Sequence, residues 1–169
     1  MLPQKIKDAI ITIDGVGYVG KTESITWPKL ARKLEEYRGG GMSGTVKLDM
    51  GQEAMSMGFE LAEHSPEILK SYGICSAGGV LLRINASAEA DDFDCTNSAI
   101  EVIVRGRWSE LDGGDTKSGD NSTLKVSMEL TYFKYTLDGD ELIEIDPVNN
   151  ILISGGVDRL EDRRNNLKL

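Results

Sequence analysis

Residues Gly15-Val16-Gly17-Tyr18-Val19-Gly20-Lys21-Thr22 match the pattern G-x-x-x-x-G-K-[ST] letter for letter. In a phosphate-binding loop of this spacing, backbone amides cradle phosphate oxygens, the lysine reaches the terminal phosphates and the hydroxyl holds magnesium. That chemistry needs a helix starting at the lysine, its N-terminus aimed at the anion. Here Ser24-Ile25-Thr26-Trp27-Pro28 follows, rich in β-branched residues, with a proline seven positions after Lys21. Proline there breaks a helix in its second turn. A glycine hairpin is therefore the reading preferred over a small P-loop NTPase using residues 15–22.

Other residues with chemical potential do not assemble into a site. Asp91, Asp92 and Asp94 cluster, as do Asp112, Asp115 and Asp120, but neither set has the twelve-residue calcium-loop spacing, so both read as solvated turns. His64 is the only histidine and has no cysteine or histidine near it, which removes most imidazole chemistry. Cys75 and Cys95 lie in no C-x-x-C pair and beside no histidine. They read as reduced structural thiols of a cytoplasmic protein rather than nucleophiles. No catalytic, cofactor-binding or metal-ligating residue is assigned, no cofactor is expected, and the chain does not read as an enzyme.

The chain has 169 residues, 40% hydrophobic and 28% charged, the balance of one globular domain spanning 1–169. Lys and Arg number 19 against 28 Asp and Glu, a formal charge of −9. Such a surface repels nucleic acid rather than binding it. No apolar run approaches the ~20 residues that span a bilayer, so no membrane partner is expected. Met1 to Lys5 has no apolar stretch of a secretory signal.

Period-two alternation dominates. Ala9, Ile11 and Ile13 form one face; so do Val46, Leu48 and Met50; Met55, Met57, Phe59 and Leu61; Ile100, Val102, Val104 and Trp108; and Val126, Met128, Leu130 and Tyr132. Each set reads as a half-buried strand. Gly15-Val16-Gly17 turns the first strand, and Asp138-Gly139 between two strands is a type I′ hairpin signature. Ser65-Pro66-Glu67, with Ser65 as N-cap, opens a short helix that Gly73 closes. Asp158-Arg159-Leu160-Glu161 resembles a capping box ahead of a short C-terminal helix. Lys29–Tyr37 suits either helix or edge strand, and the loops 89–97 and 112–121 are acidic or glycine-rich. The fold class is mainly β (α+β): an antiparallel β-sandwich or barrel with two short helices. Unpaired strand edges and the absence of an active site favour a structural module over an enzyme. A monomeric β-sandwich binding module is the further alternative.

Several segments together resemble one family. Leu2-Pro3 with Asp14-Gly15-Val16-Gly17-Tyr18, then Pro28-Lys29-Leu30-Ala31-Arg32-Lys33 running into Glu35-Glu36-Tyr37-Arg38 and Gly40-Gly41-Met42, are similar to the P2-type phage major tail tube protein family. So are Arg105-Gly106-Arg107-Trp108, Gly114-Asp115, Lys117, Gly119, Glu141 to Asp146, and Gly156-Val157-Asp158 with Leu160. Departures are local: Gly39 enlarges a glycine run, Thr116 replaces a usual aromatic, Gly155 stands in place of asparagine, and 76–97 matches poorly.

The resemblance implies a subunit of the inner tube of a contractile tail, in a phage or a phage-tail-like bacteriocin. Six copies form a ring, and stacked rings make a hollow conduit inside a sheath. Its partners would be further copies of itself, the sheath protein, a baseplate or tube initiator and a tape-measure protein, with DNA passing through unbound. The place is the virion tail tube, assembled in the host bacterial cytoplasm. The resemblance makes Lys29–Tyr37 extended and leaves the glycine-rich 39–44 to order when the next ring docks. Arg38, Gly40, Gly41, Met42 and Met50 are expected at the subunit interface. Alternation and net charge suggest Asp49, Glu53 and Glu60 as lumen-facing carboxylates, which would repel passing DNA.

The nucleotide alternative is tested by thermal unfolding. A P-loop predicts that ATP raises Tm and that Lys21→Ala abolishes the rise. The hairpin reading predicts the same Tm with and without ATP, in both proteins.

Overall fold

The computed structural model describes residues 2–169. Twelve strands and two helices follow in order: β1 (Lys5–Ile13), β2 (Val16–Gly17), β3 (Thr22–Thr26), β4 (Arg32–Tyr37), β5 (Val46–Gln52), β6 (Met55–Leu61), α1 (Pro66–Lys70), β7 (Val80–Glu89), β8 (Asn97–Asp112), β9 (Leu124–Leu137), β10 (Asp140–Asp146), β11 (Ile151–Ser154), β12 (Val157–Asp158) and α2 (Glu161–Leu167). Every pairing is antiparallel. The main sheet runs β12-β11-β10-β9-β8-β7-β1-β2, with β6 on β9 and β3 on β6. β4 and β5 form a separate two-stranded sheet.

One edge of β9 serves two partners. Leu124–Leu130 pairs with β6, and Phe133–Leu137 pairs with β10. Between these halves the register against β8 slips, Arg105 facing Tyr132 while Gly106 faces Leu130. The extra residue is a β-bulge, which bends the strand and sharpens its twist. The two halves thus diverge, and the sheet closes over its own apolar face as a sandwich-like fold.

The bulge also corrects the expected face of β9. Leu124, Val126, Met128 and Leu130 point into the core, but the next inward residue is Phe133, not Tyr132. Tyr132 lies on the outer face, its hydroxyl donating to Glu144 Oε1 at 2.7 Å. Burial, followed by that carboxylate, pushes the phenol well above its ordinary range. Opposite the bulge, a Cβ at Gly106 would lie 2.0 Å from the Glu129 carbonyl oxygen. Only a hydrogen fits there.

The core joins Ile11 and Ile13 with the inward faces of β6, β7, β8 and β9, and with Ile68 of α1. Phe59 and Trp108 meet edge to face at 5.8 Å, a favourable quadrupole arrangement. The one-turn α1 is held by side chains. Trp108 Nε1 donates to Ser71 Oγ at 2.7 Å, and Ser71 Oγ donates to the Ile68 carbonyl. Ser65 occupies the N-cap position, as expected, but its hydroxyl does not cap the backbone. It is fully buried and bridges the Tyr18 hydroxyl (2.7 Å) and Glu67 Oε2 (2.8 Å). Satisfying the buried phenol takes precedence over capping, because an unpaired buried hydroxyl costs about 1–3 kcal/mol.

Two Asp-Gly turns are built alike. Asp14-Gly15 and Asp138-Gly139 all have positive φ, the type I′ signature. Asp14 exchanges N–H and Oδ1 bonds with Leu81, and Asp138 does the same with Ala99, so each turn is tied to a third strand. The first turn thus centres on Asp14-Gly15, one residue before the expected Gly15-Val16-Gly17.

The expected capping box at 158–161 does not form. Asp158 ends β12, Leu160 stands at the N-cap, and α2 buries no residue. Asp158 instead accepts from Leu160 N and pairs with Arg164, whose guanidinium also donates to the Asn150 carbonyl.

Gly106→Ala should lower the free energy of unfolding by at least about 3 kcal/mol, since the clash is with backbone and cannot be relieved by a rotamer. Urea unfolding checks this; a loss under about 1 kcal/mol would mean that the bulge relaxes freely.

Candidate assembly surfaces

The glycine-lysine motif does not build an anion site. After Gly20 (φ +73°) the chain enters β3, not a helix. Lys21 N–H donates to the Tyr18 carbonyl, and the Lys21 carbonyl accepts from Ala62. Lys21 Nζ lies 2.7 Å from Glu63 Oε1, whose hydrogen bond and charge raise the ammonium pKa. The lysine that would reach a phosphate holds a neighbouring carboxylate. Tyr18, in the middle of the motif, is buried in the core.

Other chemical candidates stay apart. Among the described residues, no three His, Cys, Asp or Glu side chains converge as a metal-ligand set. Asp112 Oδ1 accepts from Gly114 N, the role of an ordinary turn residue. His64 is exposed, and both cysteines are free and exposed rather than packed as structural thiols.

What remains is surface, and the β4–β5 hairpin is its most distinctive part. Lys29–Tyr37 contains no helix: β4 begins at Arg32, as the family resemblance implies. Tyr37 pairs with Val46 and Glu35 with Leu48, placing Tyr37, Val46 and Leu48 on one face. All three are exposed, as is Met50 at 56%. The alternation of Val46, Leu48 and Met50 therefore does not mark a strand half-buried in its own core. Among the described residues, nothing buries the Tyr37, Val46 and Leu48 face of the hairpin, which Glu35 shares.

The tip has order of its own. Met42 N–H donates to the Gly39 carbonyl at 3.2 Å, Gly39 N–H donates to Met42 Sδ, and Arg38 Nε donates to the Met42 carbonyl. Gly41 supplies a positive φ of 83°. Residues 39–42 thus form a hydrogen-bonded turn. Arg38, Gly40, Gly41 and Met42 sit together at this tip, with Met50 further down the hairpin.

The three acidic candidates lie on different elements. Asp49 is on the hairpin and pairs with Arg32 at 2.9 Å. Glu53 is exposed in the link to β6, its N–H bonded to the Ala31 carbonyl. Glu60 lies on the outer face of β6, 3.3 Å from Lys125 Nζ. Two of the three charges are thus offset locally, and Glu53 has no ion-pair partner among the described residues. Alternation finds such residues but not their cationic partners on other strands.

Comparison with known proteins identifies the relatives of this chain. The family model for "Phage tail tube protein FII" matches residues 3–167. The chain is 40% identical over 171 residues to the "Tail tube protein" of Escherichia phage P2, covering 99% of each chain. It is 33% identical over 164 residues to the "Major tail tube protein" of Serratia phage KSP20, covering 96% of this chain and 94% of that one. Its fold is similar to the sheath/tube terminator of an extracellular contractile injection system, PVC, in the extended state, with a TM-score of 0.59 at 10% identity over 81% of this chain and 97% of that one.

Three hydrogen-bonded carboxylates give the subunit an acid limit. Asp49 is held below its ordinary range by Arg32 and the Gly51 amide, Asp158 by Arg164 and the Leu160 amide, and Glu67 by Ser65. A carboxylate with a lowered folded-state pKa stabilises the fold fully above its unfolded value, about 4, and loses that contribution as pH falls through the lowered value. The urea midpoint should therefore hold steady from pH 7 to about 5 and fall below about pH 4. Asp158→Asn should flatten part of that fall; an unchanged acid slope would remove Asp158 from the account.

Proposed function

The chain belongs to the phage tail tube protein FII family and is a structural tail tube subunit, not an enzyme; from that premise we propose that six copies close into a ring and that rings stack into a hollow conduit. The observation that carries this reading is the β4–β5 hairpin, whose apolar face has no cover within its own subunit. Two-stranded ribbons are marginal in isolation. Tyr37, Val46, Leu48 and Met50 gain most by lying against a neighbouring copy, each fully buried apolar side chain contributing roughly 1.5–3 kcal/mol. Arg38, Gly40, Gly41 and Met42 at the tip belong to the same contact. The chain acts in this assembly as one domain over 1–169.

The conduit conducts passively. A chain carrying −9 surrounds a polyanion with like charge, and DNA slides where it finds no cationic hold. Glu53, with Asp49 and Glu60 in their ion pairs, lines the bore in this reading. The tube grows from a baseplate or initiator, to a length set by a tape-measure protein, and a sheath surrounds it. It belongs to the virion tail and is assembled in the host cytoplasm. Tail-like bacteriocin particles use the same construction without a genome.

Electron microscopy of purified protein over a concentration series, with and without ATP, tests the assembly. Sixfold rings or hollow tubes independent of nucleotide are expected. Leu48→Lys should change the free energy of unfolding by less than about 0.5 kcal/mol, because the site is exposed, while abolishing rings and tubes. Monomers at every concentration, even with baseplate seeds, would overturn the reading in favour of a monomeric binding module. A tube reconstruction with Asp49, Glu53 and Glu60 on the outer surface would overturn the assignment of the bore.

A further inference from the structure

The β4–β5 hairpin stands clear of its own subunit on both faces. Every residue of β4 after Arg32, and of β5 before Gly51, is exposed; only the root at Arg32, Gly51 and Gln52 is half-buried. At the rise of a strand, β4 alone extends roughly 20 Å. The outer end of this arm is basic. From Tyr37 to Leu48 the chain carries Arg38 and Lys47 and no carboxylate, within a protein of net charge −9. Neither cation has an ion-pair partner among the described residues. Between them Met42 gives the tip an apolar side chain.

Beside the Asp138-Gly139 turn, the outer face of the main sheet dips. A shallow depression of about 450 Å³ crosses β1, β7 and β8. Two cross-strand rows floor it: Asp8, Ser87 and Ala99 in one, and Ile10, Asn85 and Glu101 in the next. The short side chains of Ser87 and Ala99 leave the room. The charged side chains that line it are two carboxylates, Asp8 and Glu101. Asp8 Oδ1 accepts from the Ala9 amide, and Asp8 has no ion-pair partner among the described residues. Glu101 pairs with Arg83 at 3.2 Å; Arg83, and Lys134 held by Glu141, lie outside the lining. Asp8 and Glu101 stand two strand spacings apart, about 10 Å, a span that long cationic side chains cover. No hairpin residue lines the depression of its own subunit.

We propose that the hairpin tip of one subunit seats in the outer-face depression of a neighbouring copy, with Met42 over Ser87 and Ala99 and with Arg38 and Lys47 facing Asp8 and Glu101. This rests on the assembly reading above and names the surface that receives the hairpin. Tip and depression are different patches, so the contact is heterologous: each copy gives a tip and receives one, and the repeat closes into a ring where the rotation allows. Because the hairpin is an arm outside the body, it lays a tip, not a second sheet, on the neighbour. The opposite signs of tip and depression fix which surface it meets.

Charge exchange and cross-linking test the contact. Arg38 and Asp8 are both exposed, so urea unfolding of their variants should match the wild type. Arg38→Asp alone and Asp8→Arg alone should each raise the protein concentration at which tubes form by roughly tenfold or more, by setting like charges against each other. Combined in one chain, they should return it to within about threefold of the wild type. A double variant as impaired as the two single effects combined overturns the pairing. Where Asp8→Arg lowers stability, cross-linking decides alone. Tubes are co-assembled from Gly40→Cys and Ala99→Cys chains, each also carrying Cys75→Ser and Cys95→Ser, and treated with a short bifunctional maleimide. The mixture should give dimer on a denaturing gel, and each variant alone only monomer. Monomer from the mixture, or dimer from either variant alone, overturns this contact and leaves the tube standing. Failure of the wild type to form tubes under any seeding overturns the assembly and the contact with it.

Discussion

The extra residue in β9 at Thr131–Tyr132 is the constraint from which the rest of the architecture follows. A regular strand can hold one neighbour along each edge. With the bulge, the same edge of β9 holds β6 over its first half and β10 over its second. The divergence of those halves turns one long sheet into two layers with a shared interior. The bulge is possible because residue 106 has no side chain, so β8 approaches closely where the strands change register. It also turns Tyr132 outward, where Glu144 accepts a hydrogen bond from its hydroxyl, and lets Thr131 Oγ1 donate to the Ala77 carbonyl. Core closure and outer surface are set by one local irregularity.

A second set of constraints holds the pieces the sheet does not pair. α1 is too short to be stable by its own hydrogen bonds. It stays because Ile68 is buried and because Tyr18 and Trp108 reach it through Ser65 and Ser71. α2 buries nothing and depends on Arg164, which bridges Asp158 and the Asn150 carbonyl. Both helices are therefore attached by polar anchors at sheet ends.

How much of this was legible from the residues depended on how local the cause was. Alternation in Met55–Leu61 and Val126–Leu130, the Asp138-Gly139 turn and the Pro66 helix start are local, and they appear where expected. The bulge depends on a cross-strand contact between Gly106 and Glu129, so Tyr132 was assigned to the wrong face. Ser65 has the composition of a cap, but its partner is a tyrosine 47 residues away. Asp158 likewise spends its carboxylate on Arg164 rather than on a helix end. The phosphate-loop pattern failed for a reason that was legible: β-branched residues and Pro28 follow it, and a strand forms. The acidic loop 89–97 was legible as a solvated turn, but the exposure of Phe93 at its tip was not, because Phe93 is alone there in its apolar character.

The hairpin of β4 and β5 marks the limit of reading burial from periodicity. Val46, Leu48 and Met50 alternate as cleanly as Met55, Met57, Phe59 and Leu61, yet the first set is exposed and the second buried. Alternation records that a strand has an apolar side; it does not say which chain covers that side. In a monomer, a ribbon with an uncovered apolar face would be a liability to solubility and to register. In the proposed ring, the same face would be core shared between subunits. The large exposed side chains of this chain thus carry as much information as its buried ones. Where a neighbouring copy covers them, as proposed above, assembly continues folding by the same hydrophobic and edge-pairing forces.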